Sequence, residues 1–381
     1  MAEKKYAVVG SWFYRPGPKG VSLLEYHPED GSLTFLETKF RGINADAMCL
    51  DSERGIAYFA DACATPRGGR VAAVKIDTKS QDMEVICERD TLFRDPNYIW
   101  IDSRDKKHAF VSHHSNTVLV NKLRRQGDGT FDVEALYDDV GLVVFRVEED
   151  GTFGGICDVA LTSTDERVEG GHGYSRQHSV VGSPCGKLLI VSDKGLDWLY
   201  TFSFDREREK LTRLGEYRLS EPTAPRYGLF HPELPIYYCS CEKKLAVMSF
   251  GYDAETGRLE LLGETPLSGE EFAAAHRPEK RIESGDIKMN PEKSCIYVTI
   301  RGLEQIAVLR MEVDGSLKLI QSVGCGGENP RCLCISPDKR FLLCGNMESQ
   351  TIRTLEILED GTLKLTEREV SVPLPSCIEI L

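Results

Sequence analysis

Two charged residues at the ends of one predicted hairpin have side chains that could do chemistry together. The segment APRYGLFHPELPIYYCSCE (224–242) predicts strands over 227–230 and 236–241, joined by a tight turn. Arg226 precedes the first strand and Glu242 follows the second, so antiparallel pairing predicts that they meet. A guanidinium recognises carboxylates and phosphates through a planar fork, and a carboxylate can orient a histidine for proton transfer. The pair is therefore a candidate for anion binding and for assisting proton transfer.

Turn signals that recur along the chain predict the elements that position this pair. Asp-Gly or Thr-Gly turns follow alternating apolar strands at PEDGSL, GDGTF, EDGTF, AETGRL, VDGSL and EDGTL, where glycine supplies a positive φ. A second family of turns, such as NPEKS and SPDKR, lies one strand pair upstream. Short strands alternating with these turns at a period of roughly 40–50 residues indicate an all-β fold, a β-propeller with four antiparallel strands per blade.

The two ends of the chain predict how the ring of blades closes. The N-terminal segment supplies only three strands of a blade, and the last segment, PSCIEIL (375–381), is a single apolar strand that fits the missing innermost position. Six complete units lie between them, beginning near Ala45, Asn97, Gln177, Pro225, Gly285 and Pro330. The sequence therefore predicts one seven-bladed β-propeller domain over 1–381, closed by the C-terminal strand joining the N-terminal blade, which leaves no sheet edge open.

Irregular segments interrupt the repeat. Residues 117–139 are predicted to be an insertion between the second and third strands of a blade, and residues 162–175 form an irregular stretch between blades. Residues 269–275 are the one short helix predicted, inside a connection. Connections between the second and third strands of a blade, and connections between blades, emerge around one mouth of the axial channel, where long loops usually carry function. The insertion is therefore expected on the active face.

The same mouth is predicted to collect the starts of the innermost strands and the ends of the second strands. These positions are rich in arginine, histidine and carboxylates, the composition of an anion-binding and proton-handling pocket. The strand starts supply Asn97, Gln177, His178, Arg226, Asp286 and Arg331. The strand ends supply Asp61, His113, His114, Asp193, Glu242, Arg301 and Asn346.

The arginines also have a structural interpretation, as solvated rim residues or ion pairs between blades. Three of them, Arg226, Arg301 and Arg331, are nevertheless expected at one mouth of an acidic chain. That convergence favours recognition of a carboxylate or phosphate.

The histidines differ in what they can contact. His178 could bind a backbone carbonyl, but if Glu242 touches it, the carboxylate would hold the imidazole tautomer and raise its basicity. His113 and His114 point to opposite faces of a strand, so at most one of them can face the pocket. His231 lies in a turn before a proline and is interpreted as structural.

Composition limits the partners of the protein. A formal net charge of −13 argues against nucleic acid or an anionic membrane, since both need a basic face. The sequence contains no run of eighteen apolar residues, so no membrane span is predicted, and the N-terminus lacks the pattern of a signal peptide. The thirteen cysteines include no CxxC pair, which favours reduced core thiols in the cytoplasm over zinc or disulfides. No metal or cofactor is expected.

Five segments carry a resemblance to a known family. They are GSWFYRPGPKGVSLLEYHPEDGSLTFLE, RQHSVVGSP, APRYGLFHPELPIYYCSCE, DIKMNPEKSCIYVTIRGLEQIAVLRMEVDGSLKLI and NPRCLCISPDKRFLLCGNMESQTI. Together they resemble the lactonase family of seven-bladed propellers, which includes 6-phosphogluconolactonases of the cycloisomerase-2 type and carboxy-cis,cis-muconate cyclases. The resemblance covers essentially the whole chain and implies that the catalytic residues are His178, Arg226, Glu242 and Arg301.

The resemblance implies a lactone hydrolase acting on an acidic or phosphorylated sugar lactone. His178, assisted by Glu242, would deprotonate a water that attacks the lactone carbonyl, and Arg226 or Arg301 would stabilise the oxyanion. Arg331 would hold the distal anion of this small substrate. The other predicted substrate-binding residues are Asn97, His113, Asp193, Asn346 and Gln177.

Two other functions remain open at this point. A carboxymuconate-type lactonising cyclase, an isomerase, would bind carboxylates with the same arginines and would use His178 as a proton donor. A non-catalytic propeller scaffold would bind protein partners, but the chain lacks WD dipeptides and the GH signatures of that class. The hydrolase is the preferred hypothesis.

Overall fold

Short strands account for almost all of the regular structure. Within the described residues the chain forms thirty strands and one 3₁₀ turn, Pro291–Lys293. The helix predicted over 269–275 and most of the irregular stretch 162–175 lie outside the described residues. The computed structural model describes residues 4–13, 19–102, 104–114, 120–136, 139–162, 174–220, 222–268 and 281–381.

Seven antiparallel sheets of four strands form the blades. The first blade contains, from the innermost strand outward, β30 (Pro375–Ile380), β1 (Lys5–Ser11), β2 (Gly20–His27) and β3 (Ser32–Lys39). The second contains β4 (Ala45–Asp51), β5 (Ile56–Thr65), β6 (Gly68–Asp77) and β7 (Asp82–Asp90). The third contains β8 (Pro96–Ile101), β9 (His108–His113), β12 (Val140–Val147) and β13 (Phe153–Thr162).

The remaining four blades follow the same order from the axis outward. The fourth contains β14 (Gln177–Gly182), β15 (Leu189–Asp193), β16 (Trp198–Asp205) and β17 (Lys210–Arg218). The fifth contains β18 (Pro225–Phe230), β19 (Ile236–Cys241), β20 (Ala246–Tyr252) and β21 (Leu259–Pro266). The sixth contains β22 (Glu283–Asn290), β23 (Cys295–Arg301), β24 (Gln305–Met311) and β25 (Leu317–Gly324). The seventh contains β26 (Pro330–Ile335), β27 (Phe341–Asn346), β28 (Thr351–Ile357) and β29 (Leu363–Ser371).

The innermost strands contact one another in a closed circle, which confirms the predicted ring. Their order is β30, β4, β8, β14, β18, β22, β26 and again β30. β30 pairs with β1 antiparallel, so that Val9 faces Ile378 and Ala7 faces Ile380. The last strand of the chain therefore completes the first blade, as its lone apolar pattern predicted.

The apolar core lies between neighbouring blades. Ile56 and Tyr58 of the second blade, for example, pack in one buried cluster with Val111 and Phe145 of the third. The rings of Tyr58 and Phe153 meet edge to face, with centroids 5.4 Å apart, a favoured aromatic geometry. Because each blade shares such a cluster with the next, the positions of the inner strand ends around the axis are fixed by packing.

The insertion between the second and third strands of the third blade forms a separate hairpin. Its strands are β10 (Val120–Arg125) and β11 (Phe131–Leu136), paired from Val120 opposite Leu136 to Arg125 opposite Phe131. The side chains described in it are exposed, so the hairpin adds little to the core. No helix in the described part of the chain is long and apolar enough to cross a membrane.

Candidate active site

A β-bulge near the start of most innermost strands directs one side chain out of the regular pairing. At each bulge the pairing with the second strand skips one residue, and such bulges re-aim a side chain. The skipped residues are Asp46, Asn97, His178, Arg226, Arg331 and Ser376. Four of them, Asp46, His178, Arg226 and Arg331, line one cavity on the ring axis.

This cavity has a volume of about 320 Å³, which suits a small ligand. Its walls carry slightly more cations than carboxylates. The cationic side chains are Arg176, Lys194, Arg226, Arg281, Arg301 and Arg331. The carboxylates are Asp46, Asp95, Glu242, Glu283 and Glu348, and the two histidines are His114 and His178. In a chain of net charge −13, this local excess of positive charge favours an anionic ligand.

Glu242 is the shared counter-ion of three cations. Its Oε2 lies 3.0 Å from Nε of Arg226, 3.2 Å from Nη2 of Arg301 and 3.1 Å from Nζ of Lys194. Burial alone would raise the pKa of Glu242, but Lys194, Arg301 and Arg226 together hold it well below its usual range. The Arg226–Glu242 contact expected from the hairpin is formed, and the carboxylate is charged at neutral pH.

Lys194 has an unusually acidic ammonium group for a lysine. Burial lowers its pKa to about 8; the Glu242 carboxylate opposes this effect, whereas Arg226 and Arg301 add to it. The same Nη2 of Arg301 also contacts Glu283, whose Oε2 lies 3.0 Å away. The three cations therefore share too little negative charge to be fully neutralised.

Arg331 lies in a separate cluster on the cavity wall. Its guanidinium pairs with Asp46 and stacks on Trp12, with Cζ 4.2 Å from the ring centroid. Burial would lower the pKa of Arg331, but the Asp46 charge outweighs it and raises the pKa. Arg331 therefore has its own counter-ion before any ligand binds.

His178 is buried between two aromatic rings. Its ring meets those of His114 and Tyr227 edge to face, with centroids 5.0 Å and 4.8 Å away. Burial, and then the charges of Arg226 and Lys194, hold its pKa well below the usual histidine value, so the imidazole is neutral. The contact between His178 and Glu242 considered in the sequence analysis is not formed: the described side-chain partners of Glu242 are its three cations.

Two predicted substrate-binding residues lie behind the cavity wall. The amide of Asn97 contacts the ring of His114, with 2.6 Å between its terminal atom and Nε2. The Nε2 of Gln177 donates to the hydroxyl of Thr162 at 3.2 Å. Neither residue lines the cavity, although Asn97 contacts His114, which does.

Three further predicted residues at the second-strand ends also face away from the cavity. His113 donates from Nδ1 to the Gly141 carbonyl at 2.9 Å. The carboxylate of Asp193 accepts backbone N–H groups, including that of Gly195 at 3.0 Å. Asn346 donates to the Cys325 carbonyl at 3.4 Å. These contacts are made within the protein and away from the cavity. In each case it is the following residue, His114, Lys194 or Met347, that lines the cavity.

Several residues that line the cavity were not predicted from the sequence. Asp46 and Lys194 occupy the same positions in their blades as His178 and Glu242 do in theirs: the bulged residue of the innermost strand and the residue after the second strand. Comparing equivalent positions between blades could therefore have identified Asp46 and Lys194 as candidate site residues. Asp95 belongs to the connection before β8 and has no equivalent signal.

One cluster elsewhere in the described chain has donor atoms at metal-ligand spacing. The ligand atoms of His108, Cys157 and Glu209 lie within 4.8 Å of one another. Glu209 already accepts two hydrogen bonds from Nε of Arg146, at 2.7 and 2.8 Å. The cluster is not part of the axial cavity, and the absence of a metal or cofactor from the site stays a prediction.

Fold and site together define a seven-bladed β-propeller with a buried, cation-rich pocket on its axis. A family model described as "Lactonase, 7-bladed beta-propeller" matches residues 7–380. The chain therefore belongs to the lactonase family of seven-bladed propellers.

Individual relatives agree with this placement at modest identity. The chain is 24% identical to a 6-phosphogluconolactonase of Bacillus subtilis over 99% of both chains. It is 23% identical to a 6-phosphogluconolactonase of Formosa agariphila over 98% of both. Among solved structures it is similar to a periplasmic gluconolactonase of Pseudomonas aeruginosa, with a TM-score of 0.80 and 20% identity over 99% of both chains.

Proposed function

We propose that the protein hydrolyses an anionic sugar lactone, in a reaction like that of a 6-phosphogluconolactonase. The observation that supports this most directly is the state of Arg226, which is 1% exposed and has an Nη1 with no hydrogen-bond partner in the described chain. A buried guanidinium nitrogen without an acceptor favours an anionic group of a ligand. That the ligand is a lactone is inferred from the names of the relatives, which are 6-phosphogluconolactonases and a gluconolactonase.

The cations around Glu242 and the neutral imidazole of His178 have different roles towards this substrate. Arg226, Arg301 and Lys194 bind negative charge, either of the substrate or of the tetrahedral oxyanion. His178 is a poor general base here, because protonating it would add a further charge beside Arg226 and Lys194. In its neutral form it can donate an N–H to the lactone carbonyl oxygen. Arg331 remains the proposed contact for the distal anion.

The first test compares charged and uncharged substrates. Wild-type protein is expected to hydrolyse 6-phosphogluconolactone with a higher kcat/KM than gluconolactone, after correction for spontaneous hydrolysis. Arg226→Met should reduce kcat/KM for the phosphorylated lactone about 10- to 100-fold, since a lost charge-assisted contact typically costs roughly 1.5–3 kcal/mol. Glu242 would still be paired with Lys194 and Arg301 in this variant, so the fold should persist.

The control for this test is Arg208→Met, which removes an exposed arginine. It should leave both substrates unaffected. Activity on carboxymuconate, a tricarboxylate, but on neither lactone would replace the hydrolase with the cyclase. No turnover of any of the three substrates would overturn the proposal.

A second prediction concerns the pH dependence of anion binding. The pKa of Lys194 is about 8, so its charge is present at pH 7 and mostly lost at pH 9. The affinity for the product, 6-phosphogluconate, should therefore fall between pH 7 and 9, a range in which its phosphate charge hardly changes. Isothermal titration calorimetry should show this fall in wild-type protein and a flatter, weaker profile in Lys194→Met. Equal wild-type affinities at pH 7 and pH 9 would exclude this role of Lys194.

A further inference from the structure

Asp95 presents a carboxylate to the axial cavity from the connection before β8. Its side chain is 39% exposed, and its backbone has a φ of 50°, a conformation that aspartate and asparagine tolerate better than most residues. The backbone N–H of His114 donates to the Asp95 carbonyl at 3.0 Å, which ties the two connections together. Oδ2 of Asp95 lies 3.8 Å from Nδ1 of His114. The carboxylate is thus held beside one imidazole nitrogen.

Asn97 determines which nitrogen of His114 carries the proton. In the amide orientation that satisfies all of its contacts, Asn97 donates to the Gln177 carbonyl at 2.8 Å and to the Ser112 carbonyl at 3.1 Å. Its oxygen then accepts a hydrogen bond from Nε2 of His114 at 2.6 Å. With the proton on Nε2, Nδ1 is an acceptor facing Asp95. His114 can therefore receive a hydrogen bond from Asp95 only when that carboxyl group is protonated.

The surroundings place the titration of Asp95 in the neutral range. Although 39% of its side chain is accessible, Asp95 lies within the axial cavity, and burial by the protein around it, and then the charge of Asp46, raise its pKa to about 7, while Arg176, Lys194 and Arg331 act in the opposite direction. Burial, and then Lys194 and Arg176, hold the pKa of His114 well below its usual value. A proton arriving at this pair therefore stays on Asp95. A base is most effective when its pKa lies near the working pH.

We propose that Asp95 is the proton acceptor that activates the hydrolytic water. His114 and Asn97 are positioning residues for its protonated form: with its tautomer set by Asn97, His114 accepts a hydrogen bond from the Asp95 carboxyl group once the proton has moved there. This inference rests on the lactone hydrolysis proposed above. As the water oxygen bonds to the lactone carbonyl carbon, one of its O–H bonds breaks and the proton moves to Asp95. When the bond from that carbon to the ring oxygen breaks, Asp95 returns the proton to the leaving oxygen. The product is an open-chain hydroxy acid, and Asp95 is a carboxylate again.

The test is the pH dependence of kcat/KM for 6-phosphogluconolactone, with and without Asp95, because kcat/KM reports the ionisation of the unliganded enzyme. In wild-type protein kcat/KM should rise with pH through a midpoint near 7. Asp95→Asn, which keeps the shape and the positive φ, should lower kcat on the order of 10²–10⁴-fold with little change in KM. Asp46→Asn should shift the midpoint to lower pH, because it removes the negative charge that raises the pKa of Asp95. Asn97→Leu should lower kcat to a smaller extent without raising KM.

The outcomes distinguish this inference from the proposed function. Asp90→Asn, which removes a partly buried carboxylate just upstream that does not line the cavity, is the control and should retain the wild-type profile. Wild-type hydrolysis with an undiminished kcat in Asp95→Asn would overturn the role of Asp95 alone. A wild-type midpoint well below 6.5, unmoved in Asp46→Asn, would do the same and can be measured even if Asp95→Asn fails to fold. A wild-type protein that hydrolyses no lactone would overturn both.

Discussion

Deletion of residues 375–381 is expected to abolish the native fold of the entire ring. The deletion removes β30, the innermost strand of the first blade, and leaves β1 with an unpaired edge. It also removes three buried apolar side chains, Cys377, Ile378 and Ile380, worth roughly 1.5–3 kcal/mol each for the larger ones. Ser376 additionally donates to the Gly10 carbonyl at 2.9 Å. A loss of this size is comparable with the whole stability of a typical domain, about 5–15 kcal/mol.

Circular dichroism and thermal melting of the truncated chain would measure this effect. A longer deletion in the hairpin β10–β11 provides the control, because the described side chains there are exposed. Replacing residues 122–134 with an Asn-Gly turn between the paired residues Asn121 and Ala135 should leave the melting temperature nearly unchanged. A truncated protein that melts within a few degrees of the full-length chain would refute closure by β30.

Much of the architecture could be predicted because its signals are local. Each Asp-Gly or Asn-Pro turn marks a strand boundary, and strands of period two show which faces are apolar. The blade starts near Ala45, Gln177, Pro225 and Pro330 coincide with the observed strand starts. Closure was also predictable, since a lone apolar strand at 375–381 needs a partner edge.

The cavity was harder to predict, because an error of one residue reverses the direction of a side chain. His113, Asp193 and Asn346 are the last residues of their strands and point into the blades, whereas the residues after them line the cavity. Side chains alternate between faces, so a one-residue error in strand length exchanges the two sets. Arg226 and His178 both line the cavity, because they occupy the same bulge in successive blades.

The electrostatic partners could not be derived from the sequence. Asp46 and Arg331 form an ion pair although they are 285 residues apart, and only ring closure brings their blades together. Glu242 was expected beside Arg226, but Lys194 comes from the neighbouring blade and Arg301 from the blade on the other side. The pKa of Asp95 depends on its burial in the cavity and on four charged groups that lie far apart in the sequence. The combined effect of these charges can be obtained only from the three-dimensional arrangement.

Substitution of Glu242 by glutamine is expected to destabilise the protein by about 3–5 kcal/mol, the usual effect of leaving a buried charge without its partner. The substitution leaves Arg226, Arg301 and Lys194 without their shared counter-ion, and of the three only Arg301 has a described contact with Glu283. An anion that binds this cluster should restore stability, because a ligand of the native state stabilises it by mass action. Inorganic phosphate should therefore raise the melting temperature of Glu242→Gln more than that of wild-type protein. Glu283→Gln, with a carboxylate that contacts Arg281 and Arg301, is the matched control.

The pH dependence of unfolding gives this prediction a definite sign. The pKa of Glu242 is lower in the folded protein than in the unfolded chain, so its stabilisation is present above the unfolded value, about 4.3, and is lost as the pH falls through the folded value. The difference between wild type and Glu242→Gln should thus shrink on acidification. Losing Glu242 should also lower the pKa of Lys194 further in the folded protein. Because this pKa is then far below that of the unfolded chain, the free energy of unfolding of the variant should increase as the pH rises. Urea unfolding from pH 2 to pH 9 should therefore show Glu242→Gln recovering towards both ends, with the acid-side recovery lying below about pH 4.3. A variant as stable as wild type at pH 7, with no response to phosphate, would mean that the three cations are not held together by Glu242.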